Sequence, residues 1–253
     1  MVKLMSLLSV NIITKNEEHN IQRCLESVKW ADEIIVMDSG STDKTIEISK
    51  RYTEHVYVRD WVNYAVQRNR ALEKSTGEWV LVLDADEEVT EELKAEIMAI
   101  INQGSTSNGF RIPMKNFIGS KWLRSKRLYP NYQLRLFRRT SSTFDGEVHE
   151  KARVSGHVEV LKGALNHYTY KDLSDYLNKV NKYTTLEAEH VTPPRFLFYP
   201  LVIRPFLKFI HEYFVKRGYI DGWIGLTSSI YFVLYDYLII AKALEKRANQ
   251  FKN

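Results

Sequence analysis

The stretch Glu78-Trp79-Val80-Leu81-Val82-Leu83-Asp84-Ala85-Asp86-Glu87-Glu88 constrains this chain most, because five apolar residues without polar alternation run straight into a cluster of acids. Such a run fits a strand covered on both faces, as in a parallel sheet whose crossover helices keep water off either side. The carboxyl ends of such strands open onto the crevice where ligands bind. Residues two apart on an extended segment point the same way, so Asp84 and Asp86 are placed to face one ligand together. Two hard oxygen donors suit a Mg²⁺ or Mn²⁺ ion that carries a diphosphate. Read alone, the same acids also fit a solvated helix start, since Glu87, Glu88, Glu91 and Glu92 favour the positive end of a following helix.

A chain of 253 residues is long enough to bury one sizeable α/β core with an appendage. Its 44% hydrophobic and 26% charged residues are an ordinary globular balance and exclude disorder as the default. Cys24, the single cysteine, has no partner for an internal disulfide. It falls in a helical apolar pattern with Ile21, Leu25 and Val28, which makes it core rather than nucleophile, in a reducing compartment. No signal peptide is evident before the first strand. The net charge is +5, and the cations concentrate late in the chain beside apolar and aromatic residues. That placement favours an anionic membrane surface over a nucleic-acid duplex, for which no recognition motif is visible.

Residues 7–13 read as a first buried strand, followed by the polar turn Thr14-Lys15-Asn16-Glu17-Glu18 and a helix over 20–28. Residues 33–38 form a second strand that again ends in an acid. Ser39-Gly40-Ser41-Thr42-Asp43 then turns into a helix near Lys44, capped by Asp43 or Thr42. A short strand at 56–58, a helix at 61–74, a turn at Ser75-Thr76-Gly77 and the strand at 79–83 follow. This alternation implies a parallel nucleotide-binding sheet with right-handed crossovers. After a helix at 91–102 the rhythm changes to strands at 109–113 and 133–138 around a basic, aromatic loop, then further short strands up to residue 168. Arg135 and Arg138, three apart on a strand, point to opposite faces, which leaves at least one of them solvated. A helix at 173–190 precedes a linker, because four of the six prolines fall at 193, 194, 200 and 205. The remainder reads as helices rich in Phe, Tyr, Trp, Ile and Leu. The expected fold class is α/β, a Rossmann-like, mostly parallel sheet with a mixed second half and a C-terminal helical appendage, divided as 1–190 and 191–253.

Taken together, Thr14-Lys15-Asn16-Glu17, Asp38-Ser39-Gly40-Ser41-Thr42-Asp43, Arg68-Asn69 and Asp84-Ala85-Asp86 resemble the family 2 glycosyltransferases, the inverting GT-A class that uses nucleotide sugars. Phe144-Asp145-Gly146-Glu147-Val148-His149-Glu150 and Gly218-Tyr219-Ile220-Asp221-Gly222-Trp223 are similar to the subgroup of lipopolysaccharide inner-core glucosyltransferases. The resemblance implies that Thr14, Asn16 and Glu17 hold base and ribose, and that Asp38 hydrogen-bonds the uracil or ribose, its alternative being a turn residue. It implies that Arg68 and Asn69 line the nucleotide pocket, against a solvated helix face for Arg68. Asp84 would lie near ribose or sugar and Asp86 would bind the divalent cation. His167 resembles a late histidine that supplies another metal ligand, its alternative being a structural role.

Inverting transfer needs one general base for the acceptor hydroxyl while a cation stabilises the leaving diphosphate. Glu150 occupies the family's acid position, with Glu147 as runner-up. The usual Glu-Asp pair is His149-Glu150 here, which leaves His149 between orienting the base, contacting phosphate and packing. The expected reaction is metal-dependent hexose transfer, from UDP-glucose by resemblance, to a glycolipid acceptor such as the lipopolysaccharide inner core. The expected place is the inner face of the cytoplasmic membrane, held peripherally. Polyprenyl phosphate or a protein is the alternative acceptor, and a non-catalytic nucleotide-sugar-binding protein the alternative class. A nucleotidyltransferase is disfavoured because the turn after the first strand has no glycine.

Overall fold

The computed structural model describes residues 8–146, 151–170, 172–194 and 196–250. The chain divides into two compact units, residues 1–114 with 131–167, and residues 115–130 with 168–253.

The first unit begins with β1 (Leu8–Thr14), buried along its whole length. One face of it, Leu8, Val10 and Ile12, packs with Ile21, Cys24, Leu25 and Val28 of α1 (Ile21–Val28). That is the i, i+3, i+4, i+7 stripe read from the sequence, and burying each such aliphatic side chain contributes roughly 1.5–3 kcal/mol. Next come β2 (Glu33–Asp38), α2 (Thr45–Ser49), β3 (Val56–Val58) and α3 (Tyr64–Lys74). Ile13, Ile35, Met37 and the α3 residue Ala71 form a separate cluster, so the sheet is covered on both faces. This is why β4 (Trp79–Asp84) carries no polar alternation.

Then follow β5 (Glu87–Val89), α4 (Glu91–Gln103), β6 (Gly109–Ile118), β7 (Lys121–Trp122) and β8 (Asn131–Arg138). After these come β9 (Ser142–Asp145), β10 (Lys151–Val154), β11 (Val158–Val160) and β12 (Leu165–Tyr170). The main sheet has the order β3-β2-β1-β4-β8-β6-β12-β5, with β7 and β11 paired to β6. Its first four strands are parallel and β8 runs antiparallel to β4, the mixed half that was expected. β9 and β10 form a separate antiparallel ribbon.

Three local readings change. α3 starts at Tyr64 rather than at 61, because Asn63 is extended and its side chain accepts from the Val66 amide. Glu87 and Glu88 do not open a helix. They lie in β5, antiparallel to β12, and α4 begins at Glu91 behind the Thr90 cap. Pro200 and Pro205 do not belong to a linker either. They sit in a helical run composed of the π-helical stretch Tyr199–Ile203, α6 (Arg204–Ile210) and a second π-helical stretch, His211–Val215. The wider π register lets the Arg204 amide reach the Tyr199 carbonyl just ahead of the proline that has no N–H to donate.

The second unit holds that run with α5 (Leu173–Ala188) and α7 (Gly222–Gln250). Tyr176 stacks on Tyr231 at 4.7 Å. The buried Asp221 carboxylate accepts from the amides of Arg124 and Ser125 at 2.8 and 2.9 Å, which pins the 121–130 loop to the start of α7. A Cβ at Gly225 would stand 1.9 Å from the Gly218 carbonyl oxygen, so the α7 turn closes only with glycine there. Gly218–Asn249 is long and apolar enough by length and composition to cross a membrane, with 28% of its most apolar window buried.

Candidate functional site

Three parallel strands end side by side and set the frame. Register places Thr14 opposite Asp38 on β1 and β2, and Ile13 opposite Asp84 on β1 and β4. The loops after β1 and β2 are zipped together. The Asn16 amide donates to Ser41 Oγ and the Thr42 amide to Asn16 Oδ1, both at 2.8 Å, while the Glu17 amide donates to Thr45 Oγ1 at 2.8 Å. Asn16 holds φ at 56°, a left-handed conformation asparagine tolerates. Asp38 is fully buried. Its Oδ1 accepts from the Gly40 and Ser41 amides and its Oδ2 from Ser41 Oγ, so it shapes the turn that a ligand would meet. Each carboxylate oxygen has more than one acceptor site, which makes the turn role and the ligand role compatible.

At the end of β4, Asp84 is bracketed by two guanidiniums. Arg68 of α3 donates to Oδ1 at 2.8 Å and Arg135 of β8 to Oδ2 at 2.9 Å. Burial alone would raise the Asp84 carboxyl, but the two arginines hold it well below the usual carboxylate range. Arg135 also reaches Glu87 Oε1 at 2.5 Å, and Glu87 Oε2 accepts from the Asp84 amide at 2.9 Å. Glu87 thus ties the two ends of the Ala85-Asp86 connection together. Burial pushes the Glu87 carboxyl up to about 7, with Arg135 pulling the other way and Asp84 adding to the rise. Arg68 is buried, not a solvated helix face. Neither strand arginine is merely solvated: Arg138 pairs with Glu78 and lies 4.6 Å over the Trp79 ring.

The connection held by Glu87 presents Asp86. Its Oδ2 stands 3.4 Å from His167 Nε2 on β12, whose register sets His167 opposite Glu87. Burial works against an imidazolium at His167, yet the hydrogen bond and charge of Asp86 raise it overall. Among the described residues no group of three His, Cys, Asp or Glu forms a closed metal cage. One carboxylate and one imidazole nevertheless fit a cation that takes its other ligands from a diphosphate and water.

Asn69 is held elsewhere. Its amide nitrogen donates to the Phe144 carbonyl and its Oδ1 accepts from the Phe144 amide, both at 2.9 Å, so it fastens β9 to α3. The candidate acids Glu147 and Glu150, with His149, lie outside the described residues, in the segment that joins β9 to β10. Glu87 and Arg135 were missed by sequence reasoning. The available signal was an arginine inside the otherwise apolar run Leu134-Arg135-Leu136-Phe137, which a covered strand accepts only with a paired charge. Cys24 is core as expected, its thiol pushed up by burial.

The family model for glycosyl transferase family 2 matches residues 9–155, which contain all of these positions except His167. The chain belongs to glycosyl transferase family 2. This family 2 glycosyltransferase is 30% identical over 256 residues to an uncharacterized glycosyltransferase of Rickettsia typhi, covering 95% of this chain and 88% of that protein. It is 28% identical over 253 residues to the lipopolysaccharide core biosynthesis glycosyltransferase LpsC of Rhizobium meliloti, covering 95% and 93% of the two chains. Among solved structures, S. aureus TarS 1–349 aligns with 96% of this glycosyltransferase and 91% of that chain, at 18% identity and a TM-score of 0.49.

Proposed function

We propose that this glycosyltransferase moves a hexose, with inversion, from a nucleotide sugar to a lipid-linked saccharide, using Mn²⁺ or Mg²⁺. The observation that carries the reading is the Asp86–His167 pair beside a clamped Asp84, at the carboxyl ends of parallel strands. UDP-glucose is the donor the family resemblance implies. The acceptor reading rests on the relative named for lipopolysaccharide core biosynthesis and on the apolar C-terminal helices, which also support a peripheral place at the cytoplasmic membrane.

In this reading the loops carrying Thr14, Asn16, Glu17 and Asp38 take base and ribose, with Arg68 bordering the pocket and Asn69 holding β9 against α3. Asp84, kept ionised by Arg68 and Arg135, can only accept hydrogen bonds, which suits ribose or sugar hydroxyls. Asp86 and His167 would hold the cation, which when bound neutralises charge on the leaving diphosphate. Glu150 takes the proton of the acceptor hydroxyl as its oxygen bonds to the anomeric carbon and the bond to the diphosphate breaks. Glu147 is the runner-up for that role, and His149 orients the base, meets phosphate or packs.

A panel of nucleotide sugars, each with and without Mn²⁺, tests the reading through thermal stabilisation. A specific donor at a hundred times its Kd adds about 2.7 kcal/mol. Asp86→Ala should remove the metal-dependent part of that gain. Calorimetry that finds the variant binding UDP and Mn²⁺ as the parent does would overturn the metal assignment.

A further inference from the structure

The helical run 199–215 sorts its side chains onto two faces. Pro200, Arg204, Lys208 and Glu212 recur every four residues on the side of the run that makes its ion pairs, Pro200 and Glu212 buried and Arg204 half exposed. Arg204 and Lys208 both reach Asp236 Oδ2 on α7, at 3.3 and 2.5 Å, and the buried Glu212 takes Arg127 at 2.8 Å. Tyr199, Val202, Phe206, Leu207, Ile210 and Phe214 form the opposite stripe, and all six are exposed. Phe206 keeps 66% of its surface open, as does Trp223 at the start of α7, and Phe198 keeps 70%. Arg204 and Lys208, which interrupt this segment in sequence, share the Asp236 carboxylate to one side of that stripe.

The end of the stripe has a different chemistry. Lys216 and Arg217 terminate the run, and the Lys126 amide donates to the Lys216 carbonyl at 2.8 Å, bringing a third cation to the same edge. Tyr219, two residues beyond Arg217, and Trp223, six beyond it, are exposed. An apolar stripe with paired charges to one side complements hydrocarbon, and a cationic, aromatic edge complements lipid phosphates and the interfacial layer.

We propose that the run 199–215 lies in the plane of a phospholipid surface and is held there mainly by insertion of the Tyr199, Val202, Phe206, Leu207, Ile210 and Phe214 face, the Lys126, Lys216 and Arg217 edge meeting phosphates. This rests on the lipid-linked acceptor reading and deepens it, since a chain charged on its outer face would bind by electrostatics alone. Insertion of this kind has a signature. It occurs on neutral lipid and survives salt that screens charges beyond about 3 Å at 1 M.

The test floats the full-length protein with preformed phosphatidylcholine vesicles, with and without an anionic lipid, at low and at molar salt. Flotation with neutral vesicles in both salts is expected. Phe206→Glu with Phe214→Glu should weaken it roughly tenfold or more per site, while circular dichroism melting stays parental. Binding that requires the anionic lipid and is lost in salt overturns the proposal. So does a concentration-dependent dimer, seen by light scattering without vesicles, that the same substitutions dissolve. Transfer to a glycolipid in detergent micelles separates the two readings: transfer without flotation sinks the insertion only, whereas flotation with transfer only to soluble acceptors sinks the lipid-linked acceptor only.

Discussion

The two units place charge and apolar surface in opposite ways. In the first, apolar side chains cover both faces of the sheet and the strand ends gather charge. Asp84, Glu87, Arg68 and Arg135 close on one another, and Asp86 faces His167 beside them. In the second, Arg204, Lys208 and Glu212 of the helical run close on Asp236 and Arg127 while Phe206 and Phe214 are exposed. The difference teaches that charge is gathered and paired where strands end, and that apolar surface is left open where helices run on. The first region offers ionised carboxylates and an imidazole, and the second offers exposed apolar side chains.

Glu150→Gln probes the comparison at its largest expected effect. If the chemistry of the first unit depends on a base apart from the clamped cluster, transfer should fall by roughly 10²–10⁴ while donor affinity and melting stay parental. Near-parental turnover in a steady-state assay would move the base to Glu147.

Arg135→Met breaks the clamp itself. Glu87 is fully buried and would lose its guanidinium, so urea denaturation should show a loss of about 3–5 kcal/mol. Pairing it with Glu87→Met should recover most of that loss, because an apolar pair of similar volume avoids the uncompensated charge. A single variant as stable as the parent would mean that the cluster is effectively solvated and the contrast between the units is false.

Asp236→Asn is the smallest and sharpens the other side. Arg204 is half exposed, so stability should change by only about 0.2–1 kcal/mol. Vesicle binding should instead acquire a salt dependence, because Arg204 and Lys208 are released from their partner. Unchanged salt response in the flotation assay would show that this pairing does not govern how the helix meets lipid.

The local part of this protein was legible in its sequence. Apolar-rich strands at 7–13 and 33–38, the apolar run at 79–83, helix stripes such as Ile21-Cys24-Leu25-Val28 and the acids ending strands at Asp38 and Asp84 depend on neighbours within a few residues, so the sheet and the general position of the candidate site follow from pattern alone. Tertiary structure decided the rest, because the deciding partners are remote. Arg135 and Asp84 are 51 residues apart, and Arg204 and Asp236 are 32 apart. No periodicity reports that Glu87 is drawn into a strand by β12, or that two cations of an apolar helical run share one carboxylate of α7. Register and packing bring those groups together, and a charge kept from water remains only where such a partner has been brought to it.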